Sequence, residues 1–95
     1  MAYAKKIVLH CPLGYVSRLD GLVEEFIRDG VGFVGVVGED CEKVEEIIDE
    51  LVVGDGSRDY ELLTSSHPGE SLEGVVAFAK SLDGKFGDEV EVVEL

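Results

Sequence analysis

Basic residues are scarce in this sequence, and the shortage narrows the classes of protein to which the chain can belong. Eight lysines and arginines stand against 21 aspartates and glutamates, which gives a formal net charge of −13. An electrostatic field of that sign repels nucleic acids and anionic membranes, and it favours basic proteins or cationic ligands as partners. The composition therefore predicts a protein that binds neither nucleic acid nor membrane.

Cysteines and long apolar runs are equally few. Cys11 and Cys41 lie far apart and in no motif, whereas small secreted domains carry dense disulfide frameworks. The apolar triplet at positions 7–9 is too short for a signal-peptide core or a membrane span. The cysteines and the two histidines also lack the closely spaced pairs typical of zinc sites. We therefore expect a cytoplasmic protein without a metal or a cofactor.

A chain of 95 residues predicts one domain, over 1–95. Three segments of this chain carry apolar residues at helical spacing. The first apolar stripe is Leu19, Leu22, Val23, Phe26 and Ile27. The second is Val44, Ile47, Ile48, Leu51 and Val52, and the third is Leu72, Val75, Val76, Ala79 and Leu82. Ser17 is predicted as the N-cap of the first helix, and Gly30 as its C-terminal cap.

Four segments of strand length alternate with these helices, at 6–10, 32–37, 60–64 and 89–94. The order β-α-β-α-β-α-β predicts an α/β fold, a small three-layer α/β/α sandwich with a mostly parallel four-stranded sheet. We expect the strand order 2-1-3-4, and the direction of the fourth strand stays open. The pattern resembles a truncated Rossmann-like or flavodoxin-like sandwich at the level of fold, and this resemblance implies no activity.

The stretch GVGFVG at 30–35 matches the glycine spacing of dinucleotide-binding turns. In those turns the glycines follow a strand and precede a helix, whereas here Gly30 ends a helix and the rest enters a strand. The match therefore predicts no nucleotide site. We expect Gly35 to lie where a helix packs close to the strand backbone.

The predicted strand order places a candidate site in the crevice between two loops, 10–17 and 64–71, because ligands of open α/β sheets bind at the carboxyl ends of the strands. Cys11 and His67 are the candidate catalytic residues there, as a nucleophile and its base, with Glu70 or Asp40 orienting the imidazole. The candidate ligand-binding residues are Tyr15, Ser17, Ser65, Ser66 and His67, of which Ser65 and Ser66 could hold a phosphate or carboxylate.

A plainer structural interpretation competes with both of these. Cys11 would be a small buried apolar residue, and the serines would be ordinary turn and capping residues. Whether the protein is an enzyme stays open, with the balance against it.

The leading functional hypothesis is a non-catalytic module for protein interaction or oligomerisation. Val90, Val92 and Val93 could pair across the two-fold axis of a homodimer. The acidic outer side of the second helix, which includes Glu42, Glu46 and Glu50, could bind a basic protein. The alternative is a small enzyme, or a protein that binds an anion or another small ligand, with its site in the crevice between loops 10–17 and 64–71.

Overall fold

The computed structural model describes residues 2–54, 56, 60–82, 87 and 89–95, and within them it forms the predicted β-α-β-α-β-α-β sandwich. Its elements are β1 (Lys6–Cys11), α1 (Arg18–Asp29), β2 (Phe33–Gly38), α2 (Cys41–Val53), β3 (Leu63–Ser66), α3 (Leu72–Ser81) and β4 (Val90–Glu94). None of the helices in the described part of the chain has the length and apolar content that a bilayer crossing requires. The cap predicted for α1 is confirmed at Gly30, which has a φ of 77°.

The strands lie in the order β3-β2-β1-β4, and every neighbouring pair is parallel. The predicted order 2-1-3-4 was therefore wrong, and the direction of the fourth strand is now settled. The burial of the strands gives the reason: Phe33 to Val37 of β2 are all buried, as suits a central strand, whereas β3 has the polar sequence LTSS and suits an edge.

The two faces of the sheet are covered unequally. α1 and α2 pack on one face, over a cluster that includes Ile7, Leu9 and Cys11 of β1. α3 alone packs on the other face, over Val8, Phe33 and Val37. Side chains of a strand point alternately to the two faces, so each strand contributes to both clusters. This alternation decides which side chains of one strand can meet.

Two local predictions need correction. The third strand was expected over 60–64, but Tyr60 lies before it and donates a hydrogen bond from its hydroxyl to the Val31 carbonyl. At Gly35 the expected neighbour was a helix. A Cβ atom there would lie 3.2 Å from the ring of Phe33 and 3.5 Å from Ser65 Oγ, so an aromatic ring of the same strand takes that space.

Candidate functional site at the end of β3

The predicted crevice depended on β1 and β3 being neighbours, and β2 lies between them instead. β2 and β3 lie on one side of β1 and β4 lies on the other, so the topological switch point of the sheet lies between β1 and β4. At that position His10 Nδ1 is 2.7 Å from Glu94 Oε2, and Arg18 donates a hydrogen bond of 3.0 Å to the Glu94 carbonyl. These polar groups pair with one another, and we place no ligand there.

Cys11 is fully buried in the cluster beneath α1 and α2. Its thiol donates to the backbone carbonyls of Val37, at 3.4 Å, and Glu39, at 3.5 Å. Burial, together with the neighbouring Cys41 and Asp40, raises the pKa of this thiol to about 11. The thiolate is the nucleophilic form of cysteine, and the raised pKa keeps Cys11 almost wholly in the thiol form at neutral pH.

The two predicted catalytic residues are not brought together. Cys11 belongs to the cluster beneath α1 and α2, whereas the ring of His67 lies 5.1 Å, centroid to centroid, from that of Phe78 on α3. The two side chains therefore lie on opposite faces of the sheet. Tyr15 donates to Asp20 at 3.0 Å and Ser17 is exposed, and both stay with the loop that follows β1.

His67 instead joins a hydrogen-bonded chain with Ser65 and Glu70. His67 Nε2 lies 2.8 Å from Ser65 Oγ, and His67 Nδ1 lies 3.0 Å from Glu70 Oε2. An ionised carboxylate only accepts hydrogen bonds, so Nδ1 carries the proton and donates a hydrogen bond to Glu70. In the neutral imidazole Nε2 is then the acceptor, and the Ser65 hydroxyl donates to it.

A local turn explains how Glu70 reaches the imidazole. The segment His67-Pro68-Gly69-Glu70 closes with a hydrogen bond of 3.2 Å from the Glu70 amide to the His67 carbonyl. Gly69 has a φ of 76°, and proline followed by such a glycine is typical of a type II turn. Ser71 then accepts a hydrogen bond of 3.0 Å from the Gly74 amide and caps α3. The segment thus positions Glu70 and starts the helix that covers the site.

The surroundings of the hydrogen-bonded chain are partly apolar and partly exposed to solvent. His67 is buried, with 7% of its surface exposed, whereas the Glu70 side chain is about half exposed, at 52%. Phe78 covers the imidazole and is itself 41% exposed. Ser65 is half-buried beside the bare backbone of Gly35. The arrangement holds a hydroxyl, an imidazole and a carboxylate in the order that nucleophilic catalysis uses.

The sequence predicted most of the residues of this site, but in a different arrangement. It grouped Ser65, Ser66 and His67, and it offered Glu70 as the group that orients the imidazole, but it paired His67 with Cys11. The period of two along a strand places Ser65 and His67 on one face, and this signal in the sequence was missed. Ser66 lies on the other face with Thr64, whose hydroxyl contacts Glu45 and Asp49 of α2.

Two further features concern ligands. No group of three or more histidine, cysteine or acidic side chains within the described ranges is arranged to hold a metal ion. A groove of about 770 Å³ opens at the amino ends of β2 and β3, where Lys5, Val52, Tyr60 and Leu62 are among the lining residues. Sequence reasoning had placed no site at that end of the sheet.

Comparison with known proteins identifies a family without an assigned activity. No curated protein and no solved structure matches this chain. A family model described as "Domain of unknown function (DUF7684)" matches residues 16–93. That range contains α1, β2, α2, β3 and α3 in full. The chain therefore belongs to the DUF7684 family of domains of unknown function.

Proposed function

We propose that this protein is an interaction module that forms a homodimer through the exposed edge of β4. The observation that carries the proposal is the unequal cover of the sheet. A single helix, α3, packs on one face, and Val92 of β4 stays 43% exposed on that face. Exposed edge strands pair readily with another chain, and a homodimer allows such pairing to close on itself.

The backbone of β4 supports this arrangement. The Leu95 amide donates to the His10 carbonyl, so the alternation of a strand turns the amide and carbonyl of Val92 away from β1. Antiparallel pairing of two β4 strands with Val92 opposite Val92 places Glu91 opposite Val93 and Glu94 opposite Val90. No two glutamates then face each other directly, and directly opposed like charges are what destabilises paired strands.

The test is the molecular mass in solution, measured by sedimentation at several protein and salt concentrations. We expect a dimer that strengthens as salt is added, because each chain carries a net charge of −13 and salt screens the repulsion between the two. Val92→Lys should give a monomer. Val53→Lys is the matched control, since Val53 is an exposed valine at the end of α2, 61% exposed. A monomeric wild type, or a dimer that Val92→Lys leaves intact, would contradict the proposal.

A second candidate is the binding of a basic protein by the outer side of α2. Its exposed acidic residues are Glu42, Glu46, Asp49 and Glu50. Lys43 lies 3.8 Å from Glu46 and offsets little of this charge, since both side chains are about two-thirds exposed, at 68% and 69%. Attraction between opposite charges weakens with salt, so this binding has the opposite salt dependence to homodimer formation.

Fluorescence anisotropy with a labelled poly-lysine peptide tests this candidate. We expect tight binding at low salt and a loss of affinity in the variant Glu46→Lys/Glu50→Lys. Glu73→Lys/Glu89→Lys carries the same change of charge away from α2 and should bind more tightly than the α2 variant. Equal affinities of the two variants would mean that the peptide responds to net charge alone and that α2 offers no specific surface.

A further inference from the structure

We propose that Ser65, His67 and Glu70 form a nucleophilic site for acyl esters, in which Ser65 receives the acyl group. The site lies at the β3 edge of the sheet, whereas the proposed dimer contact lies at the opposite edge, on β4. The two proposals rest on different residues and can fail separately.

The hydrogen bonds prepare the proton transfer that a serine nucleophile requires. A serine hydroxyl is a weak nucleophile until an adjacent base accepts its proton. His67 Nε2, 2.8 Å from Ser65 Oγ, is within the range in which a base accepts such a proton. Glu70, 3.0 Å from Nδ1, fixes the tautomer that leaves Nε2 free to accept, and it stabilises the imidazolium that forms.

Each of the three side chains is held in place by a contact of its own. Ser65 lies in β3, in register with Gly35 of β2. The His67 amide donates to the Val36 carbonyl at 3.0 Å, which continues the pairing of β3 with β2 by one residue, and Phe78 packs against the imidazole. Glu70 is held by the turn that begins at His67. Positioning of this kind lowers the entropic cost of reaching the reactive geometry.

The surroundings of Ser65 indicate the class of ester. Leu63 is on the same side of β3 and is 54% exposed, and Phe78 is 41% exposed, so an apolar group can contact both. Gly35 has no side chain of its own beside Ser65 Oγ, and the ring of Phe33 fills that space with apolar surface. The net charge of −13 disfavours anionic substrates. The site therefore suits apolar, uncharged acyl groups.

The proposed reaction needs only the ester and water. Ser65 Oγ forms a bond to the acyl carbon while its proton moves to His67 Nε2. The bond from the acyl carbon to the alcohol oxygen then breaks, and the departing alcohol takes the proton from Nε2. Water repeats the same steps in the second half of the reaction, so that the acid is released and the Ser65 hydroxyl is restored.

The experiment uses p-nitrophenyl butyrate and follows two signals, the release of p-nitrophenol and the mass of the protein, with peptide mapping of the acylated residue. We expect one butyryl group on Ser65 of the wild type and none at this position in Ser65→Ala. His67→Gln should slow acylation by about a hundredfold, in the range that a general base contributes. Ser66→Ala is the matched control, because Ser66 is the neighbouring serine on the other face of β3, and it should keep the wild-type rate.

A second variant keeps the proposal testable if the hydrogen-bonded chain also supports the fold. Ser65→Cys places a thiol beside the same imidazole, and its alkylation by iodoacetamide should be at least tenfold faster than in Ser65→Cys/His67→Gln. The native cysteines, Cys11 and Cys41, are both buried, and alkylation of the wild type measures their background. Thermal unfolding of each variant separates loss of activity from loss of fold.

Three results would overturn the proposal: acylation of lysines only, an unchanged rate in Ser65→Ala, or equal alkylation with and without His67. The monomeric variant Val92→Lys should acylate Ser65 at the wild-type rate, which shows that the two proposals fail or stand separately.

Discussion

At the scale of the residue, Gly38 is a position that leaves no room for a side chain. It ends β2 with a φ of 126°, and a Cβ atom there would lie 2.5 Å from the backbone oxygen of Cys11. That oxygen also accepts hydrogen bonds from the amides of Gly14 and Glu39, so it cannot move without loss. The end of β2 is therefore built around the absence of a side chain.

We predict that Gly38→Ala lowers the free energy of unfolding by about 3 kcal/mol or more, because strained backbone and a steric clash act together. Gly21→Ala is the control. A Cβ atom at Gly21 has no neighbour within 4 Å, and the change should stabilise α1 by about 0.5–1 kcal/mol. Urea denaturation of both variants measures the two effects. Equal effects would show that the space around Gly38 relaxes easily.

Cys11 gives a prediction about alkaline pH. Its pKa is raised from 9.0 to about 11 in the folded protein, mainly by burial, so the unfolded chain loses this proton first as the pH rises. The contribution of Cys11 to stability is therefore complete below pH 9 and is lost as the pH rises from there to about 11. We predict that the wild type loses more stability across this interval than Cys11→Ala.

Thermal unfolding below pH 9 and near pH 11 measures this difference. The half-buried tyrosines Tyr3 and Tyr60 also have raised pKa values, which likewise lower the stability as the pH rises. Both tyrosines are present in the two proteins, so their effect cancels in the comparison. Parallel curves for the wild type and Cys11→Ala would place the thiolate of the folded protein in contact with water.

Single residues were the least predictable part of the molecule. The sequence favoured Cys11 as a buried apolar residue but left the nucleophile open, because burial and thiol pKa depend on what packs over the strand. Lys6 shows the same limit: it is fully buried and donates a hydrogen bond of 2.6 Å to the Leu82 carbonyl at the end of α3. A cation at the C-terminal end of a helix is favourable, but no local sequence pattern predicts a contact between residues 76 positions apart.

At the scale of the element, the caps of two helices differ although both begin after a serine. Ser71 accepts a hydrogen bond from the Gly74 amide and caps α3. Ser17 precedes α1 in a helical conformation, with a φ of −60° and a ψ of −23°, and its side chain makes no capping hydrogen bond. Ser17 therefore stands at the predicted start of α1 without the predicted capping contact, whereas Ser71 makes such a contact at the start of α3.

We predict that Ser71→Ala lowers the free energy of unfolding by about 1 kcal/mol, the typical value of a serine N-cap. Ser17→Ala should change it by much less, since no capping bond is lost. Both changes remove the same hydroxyl from the start of a helix, so chemical denaturation of the two variants isolates the contribution of the bond. A similar loss in both would show that Ser17 forms its cap in solution.

The elements themselves could be predicted from the sequence because their signals are local. Apolar residues at helical spacing located α1 and α2, and buried β-branched runs located β1 and β2. β3 was displaced towards Tyr60 because its own residues are polar and Tyr60 is a residue typical of strands. A strand that pairs on one side only and carries Thr64 and Ser65 lacks the apolar pattern on which such predictions depend.

At the scale of the whole molecule, the strand order could not be predicted from local signals, and the candidate site depended on it. The predicted order and the order β3-β2-β1-β4 are built from the same seven elements with the same connections in sequence. The error moved β3 next to β1 and so brought Cys11 towards His67. Burial along β2 held the missing information, because only a central strand is buried over five consecutive residues.

The net charge of −13 affects the molecule as a whole and leads to the last prediction. Like charges lie four residues apart along α2, as in Glu42 and Glu46 or Glu46 and Glu50, where they destabilise a helix. Raising the ionic strength from about 0.01 M to about 0.15 M shortens the Debye length from about 30 Å to about 8 Å. We therefore predict that the melting temperature rises by several degrees with added sodium chloride, which corresponds to about 1 kcal/mol in a domain of this size.

The measurement is made on Val92→Lys, so that any salt-dependent dimer does not contribute to the melting temperature. Glu46→Gln/Glu50→Gln removes two of the repelling charges and should flatten the dependence on salt, since less repulsion remains to be screened. Sucrose in place of sodium chloride separates screening from general stabilisation by solutes. A melting temperature that falls with salt would mean that attractive ion pairs outweigh repulsion, and the acidic surface would then contribute to the stability of the fold.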